Sequence, residues 1–271
     1  MSGNPTRLQD FGDIAAESNF RAEFFVSSDS WQRVRNGSRP IVIGRKGTGK
    51  TAIRFALLAS EGPELFAADL SFRDYPWNAH NAVSDPRTGH RSRYVETWLF
   101  LMLVELAKLA VGRDQMDRFP SDAARARDDL RRFVVENWGG LGFGHHAVFL
   151  KQRFKVAKKK LEPHAVGFRA GSVEWETVDK ERLANALREM NVWLREQLAV
   201  ALRPDVEYFL VFDELDLDFD PDDPSYVDSV VGLLSATREF HEWSRQTQQR
   251  ARSIVLLRDD IYRGLYFPDK T

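Results

Sequence analysis

The sequence predicts an α/β fold in which a mainly parallel central sheet lies between two layers of helices. Three observations predict it. Ile41-Val42-Ile43 is a short apolar run that passes straight into a glycine-rich loop and then a helical pattern. Tyr208-Phe209-Leu210-Val211-Phe212 is an aromatic and aliphatic run without alternation, as expected of a strand buried on both faces. Ser253-Ile254-Val255-Leu256-Leu257 is a third such run and ends in Arg258. Helical patterns separate the three, which is the arrangement that parallel strands require.

The elements follow in order. Phe20, Phe24, Phe25, Trp31 and Val34 amid charges predict one or two short helices within Phe11 to Asn36, closed by a turn at Asn36-Gly37. The first strand covers Pro40 to Ile43, and a helix runs from Lys50 to Ser60, stopping near Gly62-Pro63. Leu65 to Leu70 reads as a second strand carrying Asp69 at its end. Asp74 to Arg91, rich in Pro, Asn, Asp and Gly, reads as a loop. The apolar helix after it, Arg93 to Val111, lacks a clean polar face and should be buried.

From residue 113 to 179 the pattern changes to a mostly helical insertion, splitting the core into residues 1–112 and 180–271. The insertion reads as a helix over Ser121 to Glu136, the loop Gly139 to Gly144, a basic helix over His146 to Leu161 and a hairpin within Val166 to Thr177. Leu183, Leu187, Met190, Leu194 and Leu198 then form an apolar stripe on a helix over Lys180 to Leu202. After the acidic strand, a helix over Ser225 to Gln248 turns Val230, Leu234, Phe240 and Trp243 to the core.

The chemistry concentrates at two strand ends. Gly44-Arg45-Lys46-Gly47-Thr48-Gly49-Lys50-Thr51 satisfies G-x-x-x-x-G-K-[ST] in a strand–loop–helix context. In such a loop, backbone N–H groups of residues 44–51 wrap phosphates, Lys50 neutralises the β/γ oxygens and the Thr51 hydroxyl ligates Mg²⁺. Asp213, closing the apolar run, is the expected second holder of Mg²⁺, and Glu214 the residue that polarises attacking water. A nucleoside triphosphate and Mg²⁺ are the expected ligands; the loop does not name the base, and ATP is expected partly from the absence of the guanine-specific Asn-Lys-x-Asp element and partly by resemblance.

Composition excludes other chemistries. With no cysteine there are no disulfides, thiolate metal sites or thiol catalysis. The Asp-rich stretch Asp216 to Asp223 lacks the glycine and the bidentate Glu of a calcium loop, and His145-His146 has no co-ligand at metal spacing. The N-terminus has no apolar signal core, and the longest apolar stretch, Trp98 to Val104, is far short of a span. A soluble cytoplasmic protein without membrane contact is expected. Net charge of −1 gives no global sign of nucleic acid. The cluster Lys151, Arg153, Lys155, Lys158, Lys159 and Lys160 keeps that partner open against the alternative of a solvated helix face.

Gly44 to Ala52, Val-Phe-Asp-Glu-Leu-Asp at 211–216 and Leu-Leu-Arg-Asp-Asp-Ile-Tyr at 256–262 together resemble bacterial additional-strand P-loop ATPases related to the AAA+ and STAND groups. The resemblance spans roughly residues 10–112 and 180–268. It implies a P-loop NTPase fold, with a polar sensor strand between the first and acidic strands and Arg258 as the γ-phosphate sensor. It also implies an ATPase that switches or drives a homo-oligomer or an effector protein, as relatives do in conflict and anti-phage systems. Arg250 and Arg252 fall where ring-forming relatives carry an arginine finger, although basic residues at a helix end explain them equally. Such proteins continue into a fifth core strand and a helical lid, so with a chain closing at Thr271 either the lid is absent or this is the N-terminal part of a longer protein, the second being the expectation.

Overall fold

The computed structural model describes residues 28–37, 39–73, 75–84, 93–114, 119–149, 180–215 and 223–265, together with the short strands at 153–154 and 173–174. Four strands form one all-parallel sheet: β1 (Ile41–Gly44), β2 (Leu65–Ser71), β5 (Glu207–Asp213) and β6 (Arg250–Arg258). Their spatial order is β1-β6-β5-β2, so the strand ending in Arg258 does lie between the first and acidic strands. Register places Gly44 beside Arg258, and Ser71 beside Asp213. The ends of all four strands thereby meet at one edge.

β5 is buried along its whole length, and its side chains alternate between two cores. Phe209 and Val211 face Ile254 and Leu256 of β6, under Val34 of α1 (Asp29–Arg35) and Ile53 and Leu57 of α2 (Lys50–Ala59). Tyr208, Leu210 and Phe212 face the larger core on the other side. Helices α4 (Val95–Lys108), α5 (Ser121–Trp138), α6 (Lys180–Ala201) and α7 (Pro224–Gln246) build that core. Each fully buried Leu or Phe contributes on the order of 1.5–3 kcal/mol, which explains why the unalternating run commits to the sheet centre.

α4 is buried nearly all round, as its lack of a polar face predicts. Trp98 within it donates from Nε1 to the Ser229 carbonyl at 2.8 Å, fixing α4 to α7. α4 runs into a π-helical turn, Leu109–Arg113, whose Arg113 donates to the Ala67 carbonyl of β2 at 2.8 Å. On α6 the stripe Leu187, Met190, Leu194 and Leu198 is buried as expected. The helical part of the insertion, α5, packs its Leu130, Phe133 and Val134 into the same large core.

Two expectations are corrected. The segment read as a loop contains α3 (Trp77–Ala82), because Trp77 and buried His80 are drawn into an aromatic cluster with Phe72, Tyr75 and Trp98. The basic helix does not form as read. His145–Ala147 is a single 3₁₀ turn, and Arg153–Phe154 (β3) pairs antiparallel with Val173–Glu174 (β4). Val148 and Phe149 are buried, Phe149 stacking on His80 with ring centres 4.5 Å apart. Anchoring those two side chains in the core breaks the helical repeat before the lysines begin. Most of residues 150–179, with the lysine cluster and much of the expected hairpin, lies outside the described residues, as do the helix expected before residue 28 and most of the Asp-rich stretch.

Candidate functional site at the C-terminal edge of the sheet

The loop between β1 and α2 folds around two glycines that the backbone requires. Gly49, at the N-terminus of α2, has φ 87°, a left-handed conformation that a side chain would strain. At Gly44 the constraint is space: a Cβ there would run into Thr48 Oγ1. Thr48 Oγ1 donates to the Arg45 carbonyl at 2.8 Å, closing the turn. Lys50 lies over the loop, with Nζ donating to the Gly44 and Arg45 carbonyls at 2.9 Å each. Arg45, Lys46, Gly47, Thr48 and Gly49 are exposed. The loop is therefore an exposed glycine-rich turn at a helix N-terminus with an ammonium beside it.

Across the edge, the Thr51 hydroxyl lies close enough to the Asp213 carboxyl to favour its ionised form. The two residues expected to share a metal are therefore neighbours at this edge, although 162 positions apart in the chain. An alcohol and a carboxylate are a hard-oxygen pair of the kind Mg²⁺ takes alongside substrate phosphates. Among the described residues no group of three or more His, Cys, Asp or Glu could hold a metal unaided. Burial pushes the Asp213 carboxyl above the ordinary aspartate range, opposed by the Glu214 N–H, Arg54 and Thr51.

Glu214 follows with φ 59°, a positive value rare for a residue with a side chain. This turn lets its N–H donate to Asp213 Oδ1 at 2.9 Å. Strain of this kind, worth about 1–3 kcal/mol, persists where the surroundings over-determine it. Here they do. Glu214 accepts from Ser71 Oγ and from Arg73 Nη2, the latter at 2.7 Å. Arg258 reaches the same edge through its register with Gly44, and its guanidinium donates to Asp260, with Nε 3.0 Å from Oδ1.

Sequence reading missed four contributors. Arg54, nearly buried, lies 3.1 Å from Asp69 Oδ1 through Nε, donates to Asp213 Oδ2 at 3.2 Å through Nη1, and is 3.6 Å from Glu214 Oε2. One guanidinium thus compensates three carboxylates. Burial still raises Asp69, with Asp213 and Glu214 adding to the rise against Arg54. The signal was available: Arg54 is three residues after Thr51, on the same helix face. Ser71 and Arg73 carried no signal, since their role depends on β2 lying beside β5. His145, lowered to about 4 by burial, hydrogen-bonds the Ser71 backbone from the insertion side.

Arg54 supports a direct prediction. Arg54→Ala leaves Asp69, Asp213 and Glu214 without their shared counter-ion, so stability at neutral pH falls by about 3–5 kcal/mol, the range for breaking a buried pair. Millimolar Mg²⁺ restores part of the melting temperature in the variant and shifts the wild type less. A variant as stable as the wild type without Mg²⁺ would show the cluster to be energetically idle.

Arg250 and Arg252 lie at the opposite edge, where both contact Glu207 Oε1 at 2.9 Å. Glu207 also pairs with Arg35. The side chains of Lys151 to Lys160 are outside the described residues.

Comparison with known proteins adds one relative. The chain is 24% identical over 266 residues to an 80.3 kDa protein of Escherichia coli (strain K12) assigned to transposon gamma-delta. The match covers 94% of this chain and 34% of the relative, so the chain spans about a third of that protein. No protein-family model matches, and no solved structure matches. Among the described residues no helix is long and apolar enough to cross a membrane.

Proposed function

We propose that this chain is a Mg²⁺-dependent P-loop ATPase of the additional-strand type, acting as a nucleotide-controlled switch or motor on copies of itself or on an effector protein. The sheet order, which brings the glycine loop after β1 and the Asp213 end of β5 to one edge with Thr51 beside Asp213, carries the reading. It joins a glycine loop bearing Lys50 to an acidic strand across an intervening strand, the arrangement that the resemblance implies. The triphosphate would lie in the loop over residues 44–51, with Lys50 leaving the Gly44 and Arg45 carbonyls for the β/γ oxygens. Thr51 and Asp213 would hold Mg²⁺, which when bound neutralises charge on those oxygens. Glu214 would orient and deprotonate water, and Arg258 would exchange Asp260 for the γ-phosphate.

Glu214→Gln tests the assignment. It is expected to bind Mg²⁺-ATP within about twofold of wild type and to lower phosphate release by about 10²–10⁴-fold, the span of a general base. Wild-type turnover in that variant would remove Glu214 from the chemistry.

One observation favours a second reading, a nucleotide-stabilised scaffold with negligible turnover. In this state Ser71 and Arg73 occupy the Glu214 carboxylate, the group that would have to accept a proton. A scaffold would gain melting temperature on ATP addition while wild-type phosphate release stayed at the Lys50→Ala background.

A further inference from the structure

The N-terminal edge of the sheet, opposite the glycine loop, holds a cavity of about 640 Å³ between α7, the start of β6 and the turn joining α1 to β1. Its charge is one-sided: Arg238, Arg245, Arg250 and Arg252 line it against a single carboxylate, Glu242. Glu242 is taken by Arg245, and Glu207 behind the wall is shared by Arg250, Arg252 and Arg35. Arg238 makes no hydrogen bond or ion pair among the described residues. It lines the cavity and brings a cation there that no carboxylate among the described residues takes. His241 adds no charge, because burial lowers its pKa and its Nε2 accepts the Ser253 N–H at 2.9 Å.

Two orphaned polar atoms lie in the same wall. Thr237, 1% exposed, has no partner for Oγ1, although a helical threonine ordinarily bonds the carbonyl one turn back. Gln249 donates from Nε2 to the Ala199 carbonyl at 3.0 Å, which fixes the amide and leaves buried Oε1 without a donor. Buried polar atoms left unpaired cost about 1–3 kcal/mol each, so such atoms lining a cavity are ligand contacts in waiting.

We infer that this cavity is a second ligand site that takes a nucleoside phosphate. The phosphate meets Arg238, Arg250 and Arg252, a sugar hydroxyl or base amino group donates to Gln249 Oε1, and Thr237 completes the polar wall. The volume lies within the range of small-molecule pockets, roughly 300–1,000 Å³. A bare anion would satisfy the arginines and leave Gln249 unpaired, which is why the class is a nucleoside phosphate. The two edges share their strands: β1 begins at Ile41 in this cavity and ends at Gly44, while β6 begins at Arg250 and ends at Arg258. Occupancy here can therefore bear on the glycine loop.

The test is the binding stoichiometry of mant-ADP on the full chain, with inorganic pyrophosphate as a competitor lacking the nucleoside. Wild type is expected to bind two equivalents, and Lys50→Ala to keep one. Arg238→Ala weakens that remaining equivalent by about tenfold or more, the scale of a charge-assisted hydrogen bond. Thr237→Val weakens it further without loss of melting temperature. Arg238 is exposed and unpaired, so its replacement leaves the fold intact. A single wild-type equivalent that disappears with Lys50→Ala overturns the proposal and leaves the glycine-loop reading standing. A second equivalent indifferent to both Arg238→Ala and Thr237→Val also overturns it. Pyrophosphate binding without mant-ADP binding overturns the nucleoside assignment.

Discussion

Lys50→Ala is expected to lower Mg²⁺-ATP turnover by about 10²–10³-fold, the loss that follows removal of one preorganised donor to developing charge. It is also expected to abolish the rise in melting temperature that ATP produces through the loop. Lys50 is the first helical residue, and its two 2.9 Å contacts with the Gly44 and Arg45 carbonyls hold the ammonium over the loop. Without it the loop keeps its N–H groups and the dipole of α2, so a weak phosphate affinity persists while the point charge on the β/γ oxygens is gone. Lys50→Arg is not expected to rescue, because a planar guanidinium fork does not reproduce the compact point charge of an ammonium. Stopped phosphate-release assays on both variants, with thermal shifts recorded beside them, decide the matter. Wild-type turnover in Lys50→Ala would place the activity elsewhere and remove the basis of the proposed function.

How far the sequence carried depends on how local each signal is. The loop was legible because its pattern is contiguous and each residue type answers a need visible in the structure: no Cβ at Gly44, a left-handed residue at Gly49. Strand β5 was legible because a run without alternation has only one comfortable place in a sheet of parallel strands. The position of β6 between β1 and β5 was implied by resemblance, and the register of Gly44 with Arg258 now gives it a geometric footing. The surroundings of Glu214 were not legible. Ser71 and Arg73 reach it only because β2 pairs with β5, and nothing at positions 71–73 announces that pairing. The lysine-rich segment misled for the opposite reason. Its charges suggested a continuous helix, while burial of Val148 and Phe149 decided where the chain goes.

Asp114→Ala is expected to lower stability by about 3–5 kcal/mol, or roughly a 10–15 °C drop in melting temperature for a domain of this size. Asp114 is fully buried just after the π-helical turn. Tyr208 donates to its Oδ2 at 2.5 Å and Arg203 to its Oδ1 at 3.0 Å, while Arg127 Nη1 lies 3.6 Å from Oδ2. Arg127 also donates to the Ala110, Asp114 and Ala201 carbonyls, so α5, the turn after α4 and the end of α6 meet at this carboxylate. Removing it takes the shared carboxylate from Arg127 and Arg203, which keep their other acceptors, and leaves without its acceptor a buried phenol whose pKa burial and Asp114 already raise. Asp114→Asn keeps the shape and one acceptor, so its loss should be smaller, and the difference between the two variants measures the charge. Because Tyr208 is the second residue of the strand that ends in Asp213, the deficit should propagate. Hydrogen exchange is expected to rise first along β5 and α5, with nucleotide affinity falling only as global unfolding begins. A fall in affinity well below the unfolding transition would show instead that this network holds the loop edge in its binding geometry.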